Sequence, residues 1–217
     1  MKIVCEQPVY DAPPALKYSD DELRDNAGRW TDDRDDPDEV ALRFDDVRRW
    51  TWATRDEIQQ FRDPTSSLGR RFIANLAAAD PTTETTYRCA FLPMSEKAVV
   101  AEYPPGKTID LPLLSFSRSE SDAGGYINGI MGHEYTAGLA DGSVTAVQFR
   151  LDPGAQMADL GATGAGVDHE VVTAGRFEVT SVTPDQTVPA RFGSGGQTYQ
   201  QDGVTIIGLK QVATVRP

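Results

Sequence analysis

"LLSFSRSESDAGGY", residues 113 to 126, decides how the chain is read. An apolar run breaks at Ser115-Phe116-Ser117, passes through polar residues, and resumes at Ala123 and Tyr126. Small hydroxyl residues closing an apolar stretch and preceding helix formers predict a strand that hands over to a Ser-capped helix.

Upstream, Gly106 precedes the apolar "IDLPLL" (109–114) that leads into the serines. Further back, "TTYRCAFL" (85–92) reads as a short strand with Arg88 inside it. From Glu39 to Ala79, apolar residues including Val47, Trp50, Trp52, Ile58, Phe61, Phe72, Ile73 and Leu76 recur at helical spacing. Pro64 and Gly69 interrupt them, which predicts two or three helices, the last over about 66–78 and ended by Asp80-Pro81.

Downstream the texture is β. "VTAVQFRL" (144–151) alternates, with Val147, Phe149 and Leu151 on one face. "DHEVV" (168–172), "RFEVTSV" (176–182) and "VTIIGLKQV" (204–212) follow, separated by Gly, Pro and Asp. Helices first and strands after predict an α+β fold.

The chain of 217 residues carries a net charge of −12, which makes bare nucleic acid and anionic membrane poor partners. No apolar run approaches a membrane span, and the first residues lack an apolar signal segment. Cys5 and Cys89 have no metal-type spacing and read as free thiols of a reduced compartment. With only His133 and His169 available, a His-rich metal site is excluded. "GHEYTAG" (132–138) lacks the second histidine of a zinc-protease helix, and no G-x-S-x-G elbow exists. "GATGAG" and "GSGGQ" do not open a helix after a strand, so neither is a dinucleotide fingerprint.

Residues 20 to 39 hold ten acids and three arginines, which repel one another and bury little. Residues 1–40 are therefore expected to form an acidic arm, partly disordered, ahead of a domain at 41–217.

The order of Arg88, Ser115-Phe116-Ser117 with Ala123 and Tyr126, the strand at 144–151, and "HEVVTAGRFEVTSV" (169–182) resembles the Arg–Ser–Glu branch of the mono-ADP-ribosyltransferases. The resemblance implies helices followed by two packed, mostly antiparallel β-sheets forming an NAD cleft. It implies that Arg88 grips the NAD phosphates, where a planar, permanently charged fork of donors suits a pyrophosphate. Ser115 and Ser117 would shape the nicotinamide–ribose pocket, one hydroxyl orienting the catalytic Glu170. Phe116 and Tyr126 would stack near nicotinamide, with core packing as the plainer alternative. Asp168, two residues before Glu170 at a strand start, would face the cleft with it, since in a strand i and i+2 share a side roughly 7 Å apart.

The implied reaction is NAD-dependent transfer of ADP-ribose to a protein acceptor in a bacterial cytoplasm, arginine favoured, with "MADLGATGAG" (157–166) as the acceptor loop. NAD is a co-substrate there, and no metal is implied. "RDNAGRWTDD" (24–33) resembles a short motif found beside phage minor head proteins, which raises a virion-associated enzyme whose arm meets phage head or portal proteins. Two other functions stay open: a virion structural or connector protein with a silent version of the fold, and a NAD glycohydrolase toxin with water as acceptor.

Overall fold

A computed structural model describes residues 50, 55–63, 65–128, 130–160, 169–191 and 196–214. The acidic arm, the GRW-type motif, Asp168 and residues 161–166 of the expected acceptor loop lie outside the described residues.

Two helices lead. α1 spans Arg55–Arg62 and α2 spans Ser67–Ala78. Ser66 caps α2 by accepting the Gly69 amide at 2.9 Å. Leu68, Phe72 and Leu76 recur at i, i+4 and i+8 and are buried on one stripe. Phe61 of α1, Phe72 and Trp50 form an aromatic knot with centroids 5.1–5.5 Å apart.

The rest alternates strands and short helices: β1 Thr86–Leu92, α3 Glu96–Glu102, β2 Thr108–Ser117, α4 Glu120–Asn128, α5 Ile130–Asp141, β3 Thr145–Leu151, β4 Ala158–Asp159, β5 Glu170–Arg191 and β6 Thr198–Thr214. The predicted helix at 66–78, the Arg88 strand and the strand at 144–151 fall where the sequence places them. Among the described residues no helix is long and apolar enough to cross a membrane.

The two expected β-sheets are corrected to one. The strands form a single sheet in the order β2-β1-β3-β6-β5-β4, and β2 also pairs with β5, which closes five strands into a ring. All pairings are antiparallel except β3–β6. The cause lies in β5. "DHEVV" and "RFEVTSV", read as separate strands, are one strand of 22 residues. Gly175 adopts φ 132° and the β5–β6 register shifts at Arg176/Phe177, so the chain bends without ending. One edge of β5 serves β2 from Glu170 to Glu178, while the other serves β4 and then β6. A second bulge between Leu111 and Leu114 falls at Pro112, which has no amide to donate.

Strand alternation sorts the side chains. Phe116, Val171, Phe177 and Val179 point into the ring with Val147, Phe149, Leu151, Ile207 and Leu209, all buried. Leu113, Val172 and Ala174 face the other way and pack with Leu160 and the aromatic knot of the leading helices. Against a third face, α4 lies so close to β5 that a Cβ at Gly124 or Gly125 would sit 2.1 Å from the Pro189 carbonyl oxygen or 1.8 Å from that of Arg191. Only glycine permits this approach. It seats Tyr126, the next residue, at the rim of the site.

Candidate active site

β1 pairs with β3 along seven register positions but with β2 at one, Tyr87 with Ser117. The two strands splay below that point and free the β2 carbonyls on the β1 side. Two guanidinium groups take them: Arg88 donates Nη1 to the Ser115 carbonyl at 2.8 Å, and Arg62 of α1 donates Nε to the Leu113 carbonyl at 3.2 Å. Residues 113 and 115 are two apart, so their carbonyls point to the same edge. A cavity of about 430 Å³ opens here, within the size range of small-molecule sites.

Six of the seven residues singled out in the sequence line this cavity: Arg88, Ser115, Phe116, Ser117, Tyr126 and Glu170. The seventh, Asp168, is outside the described residues. Glu170 opens β5 and pairs in register with Ser117, so both point to the outer face. Its diagonal neighbour Ser115 donates its hydroxyl to Glu170 Oε1 at 2.7 Å. The other carboxylate oxygen, Oε2, is buried with no hydrogen-bond partner among the described residues.

The two serines divide. Ser115 holds the carboxylate, whereas Ser117 Oγ accepts the Ser119 amide at 3.0 Å and leads into α4. Of the two serines, it is Ser115 whose hydroxyl meets Glu170. Phe116 borders the cavity, but alternation turns it to the ring interior, where it is 3% exposed. Its ring is enclosed by the core and is not free to stack. Tyr126 is 49% exposed at the rim.

Among the described residues neither Arg62 nor Arg88 meets a carboxylate within ion-pair distance. Burial lowers the Arg88 guanidinium from its usual value, with Tyr126 opposing the shift and Arg62 adding to it. Burial lowers Arg62 as well. Guanidinium pKa values start so high that both groups stay cationic at neutral pH. Two guanidinium groups thus face a cavity that Glu170 also lines, with no ion pair to either among the described residues, and their donors suit an anionic group. Asp122, also lining the cavity, is paired with Arg191 at 2.8 Å and pins α4 to β5.

Arg62 and Trp50 are lining residues to which the sequence reading gave no role at the site. Trp50 counted only as core, yet its indole Nε1 donates to Ser115 Oγ at 2.9 Å and to Glu170 Oε1 at 3.2 Å. The available signal was general: a buried tryptophan needs a partner for its N–H.

No family model matches the chain, and no curated protein does. Among solved structures, ADP-ribosyltransferase Vis with the inhibitor M6 is 14% identical with a TM-score of 0.42, over 80% of this chain and 82% of that one. Vis toxin from Vibrio splendidus is 15% identical with a TM-score of 0.39, over 80% and 83%. The toxin BECa of C. perfringens with NADH is 11% identical with a TM-score of 0.37, and the match spans 76% of this chain and 40% of BECa. These overlaps are too loose to carry function from one chain to another, which leaves the residues of the cavity to do so.

Proposed function

We propose that the chain is an NAD-dependent mono-ADP-ribosyltransferase that moves ADP-ribose to a protein acceptor and releases nicotinamide. One observation carries the reading: a carboxylate held through one oxygen by Ser115, its other oxygen buried and without a partner among the described residues, in the cavity that Arg88 also lines. The ordered sequence motifs around these residues support it independently.

The chemistry asks for that arrangement. When the bond between the ribose C1′ and the nicotinamide nitrogen breaks, its electron pair leaves with the nicotinamide, which becomes neutral. Positive charge is left on the sugar. A fixed carboxylate beside the sugar stabilises this state more than the ground state, as carboxylates do in glycoside hydrolysis. Among the described residues Glu170 Oε2 is an acceptor without a donor, which a ribose hydroxyl would supply. Arg88 and Arg62, free of acids among the described residues, fit a pyrophosphate. An acceptor nitrogen then attacks C1′, forming the new N–C bond, and its proton passes to solvent water. Arginine is the acceptor we favour, drawn to the acidic side chain of Asp168.

The test is direct. Purified protein incubated with NAD should release nicotinamide and label a protein or arginine-rich acceptor. Glu170→Gln should lower both by at least ~100-fold. Full turnover in that variant would overturn the reading. Free ADP-ribose with no labelled acceptor would point instead to hydrolysis of NAD.

A further inference from the structure

We propose that Trp50 is a positioning residue: its indole N–H fixes the Ser115–Glu170 pair so that Oε1 is occupied and Oε2 is left for the substrate. The inference rests on the transferase reading for its catalytic consequence, but not for its geometry.

A serine hydroxyl has one proton and can rotate to aim it. At Ser115 that freedom is removed from outside. Trp50 Nε1 donates to Ser115 Oγ at 2.9 Å, so the oxygen is engaged as an acceptor on that side. Its single proton is directed to Glu170 Oε1, 2.7 Å away. The same indole N–H reaches Glu170 Oε1 at 3.2 Å, so two donors converge on one carboxylate oxygen. None reaches Oε2 among the described residues. The carboxylate is thus held by one oxygen, while the other, buried and without a donor among the described residues, has its acceptor capacity unused.

The indole cannot swing away without breaking the packing behind it. It is 6% exposed and sits edge-on to Phe61, with centroids 5.2 Å apart, and tilted over Phe72 at 5.5 Å. Phe61 and Phe72 in turn meet edge to face at 5.1 Å. The aromatic knot of the leading helices therefore fixes a donor 120 residues away in sequence from the carboxylate it orients. Rigid backing of this kind distinguishes a positioned group from one that is merely nearby. Charge-assisted hydrogen bonds are strong enough for the loss of one to be read in turnover.

The experiment has two arms on the full chain. In the first, tryptophan is labelled with ¹⁵N; of the three indole resonances, the one missing in Trp50→Phe belongs to Trp50. That proton should lie downfield and exchange slowly, and it should move upfield in both Ser115→Ala and Glu170→Gln. A Trp50 resonance that ignores both substitutions overturns the proposal, whatever the protein catalyses. In the second arm, nicotinamide release is followed in Trp50→Phe and in a chain with benzothienylalanine at position 50, which keeps the ring shape and removes only the N–H. Both should lower kcat roughly 10-fold or more while KM for NAD stays within about threefold. The loss in Trp50→Phe combined with Ser115→Ala should be smaller than the product of the single losses, because both act through one carboxylate. Wild-type kcat with benzothienylalanine overturns the proposal, since packing alone would then suffice. If the wild-type chain releases no nicotinamide while the indole shifts are as expected, the transferase reading fails and the positioning network stands.

Discussion

β2 and β5 present two faces, and neighbouring residues on them do opposite work. Toward the ring interior stand Phe116, Val171, Phe177 and Val179, all buried among other apolar groups. Toward the leading helices stand Ser115, Ser117 and Glu170, in register or one diagonal apart. Each strand therefore changes from core to cavity lining within one residue. A slip of one position would exchange the two sets, burying Glu170 among hydrocarbon and exposing Phe116. The bulge at Pro112 and the bend at Gly175 fix the register against such a slip.

The sharpest way to break this division is to substitute on each face and ask whether activity and stability separate. The largest effect is expected at Glu170 on the outer face. Glu170→Gln should lose roughly 10³-fold in turnover while leaving the midpoint of urea unfolding close to wild type. Stability loss comparable to that of a core truncation would show the outer face carrying the fold. The counterpart is Phe177→Ala on the inner face, where the ring is fully buried. It should cost about 3–5 kcal/mol of stability, while the fraction that stays folded keeps its KM for NAD. A specific loss of NAD binding in folded protein would mean the two faces are not independent.

Cys89 on β1 lies at the border, lining the cavity yet 3% exposed. Burial pushes its thiol from 9.0 to about 12, with Gln148 opposing the shift. The sign follows from linkage. The folded state holds the proton to higher pH than the unfolded state, so the contribution is whole below pH 9 and is lost as pH rises toward 12. Stability should fall by as much as ~1.4 kcal/mol per pH unit across that window. In Cys89→Ala that part of the slope should vanish. An unchanged slope would show the thiol open to solvent.

The two outer-face serines offer a finer division. Ser115→Ala removes a donor to Glu170 and should lower kcat about 10- to 100-fold. Ser117→Ala removes an acceptor for the Ser119 amide and should stay within about threefold of wild type. Equal losses would place both hydroxyls at the reaction.

Much of this was legible in the sequence where the signal is local. Ser66 and the apolar stripe of α2 mark a helix, and Val147, Phe149 and Leu151 mark a strand face. The family resemblance implies one pocket for Arg88, Ser115 and Glu170, and these three strand residues line one cavity. Ring closure was not legible. It depends on β5 continuing through Gly175, Pro184 and Asp185, three residue types that ordinarily punctuate strands, and here they bend one. Nor was the division between the serines, since Ser115 and Ser117 share a face and differ only in which neighbour each hydroxyl meets. Trp50 was hidden for a related reason: apolar periodicity marks its ring as core, and its polar atom finds a partner far away in sequence.

The smallest expected effect tests how the outer face begins. His169, immediately before Glu170, adopts φ 70° in the left-handed region. Backbone bonds flank it: the Arg118 amide donates to the His169 carbonyl at 2.9 Å, and the Leu160 amide to the Glu170 carbonyl at 3.1 Å. These contacts hold a non-glycine residue where side chains are disfavoured, and strain of this kind is commonly kept at functional sites. His169→Gly removes the steric penalty but adds freedom to the unfolded chain, so stability should stay within ~1 kcal/mol of wild type. His169→Val places a branched Cβ in the same conformation and should cost about 1–2 kcal/mol, with a drop in kcat as the Glu170 side chain is re-aimed. The pair separates the backbone from the imidazole. If valine and glycine behave alike, the left-handed turn is not what starts β5. The outer-face geometry would then be set by the Ser115 and Trp50 contacts alone.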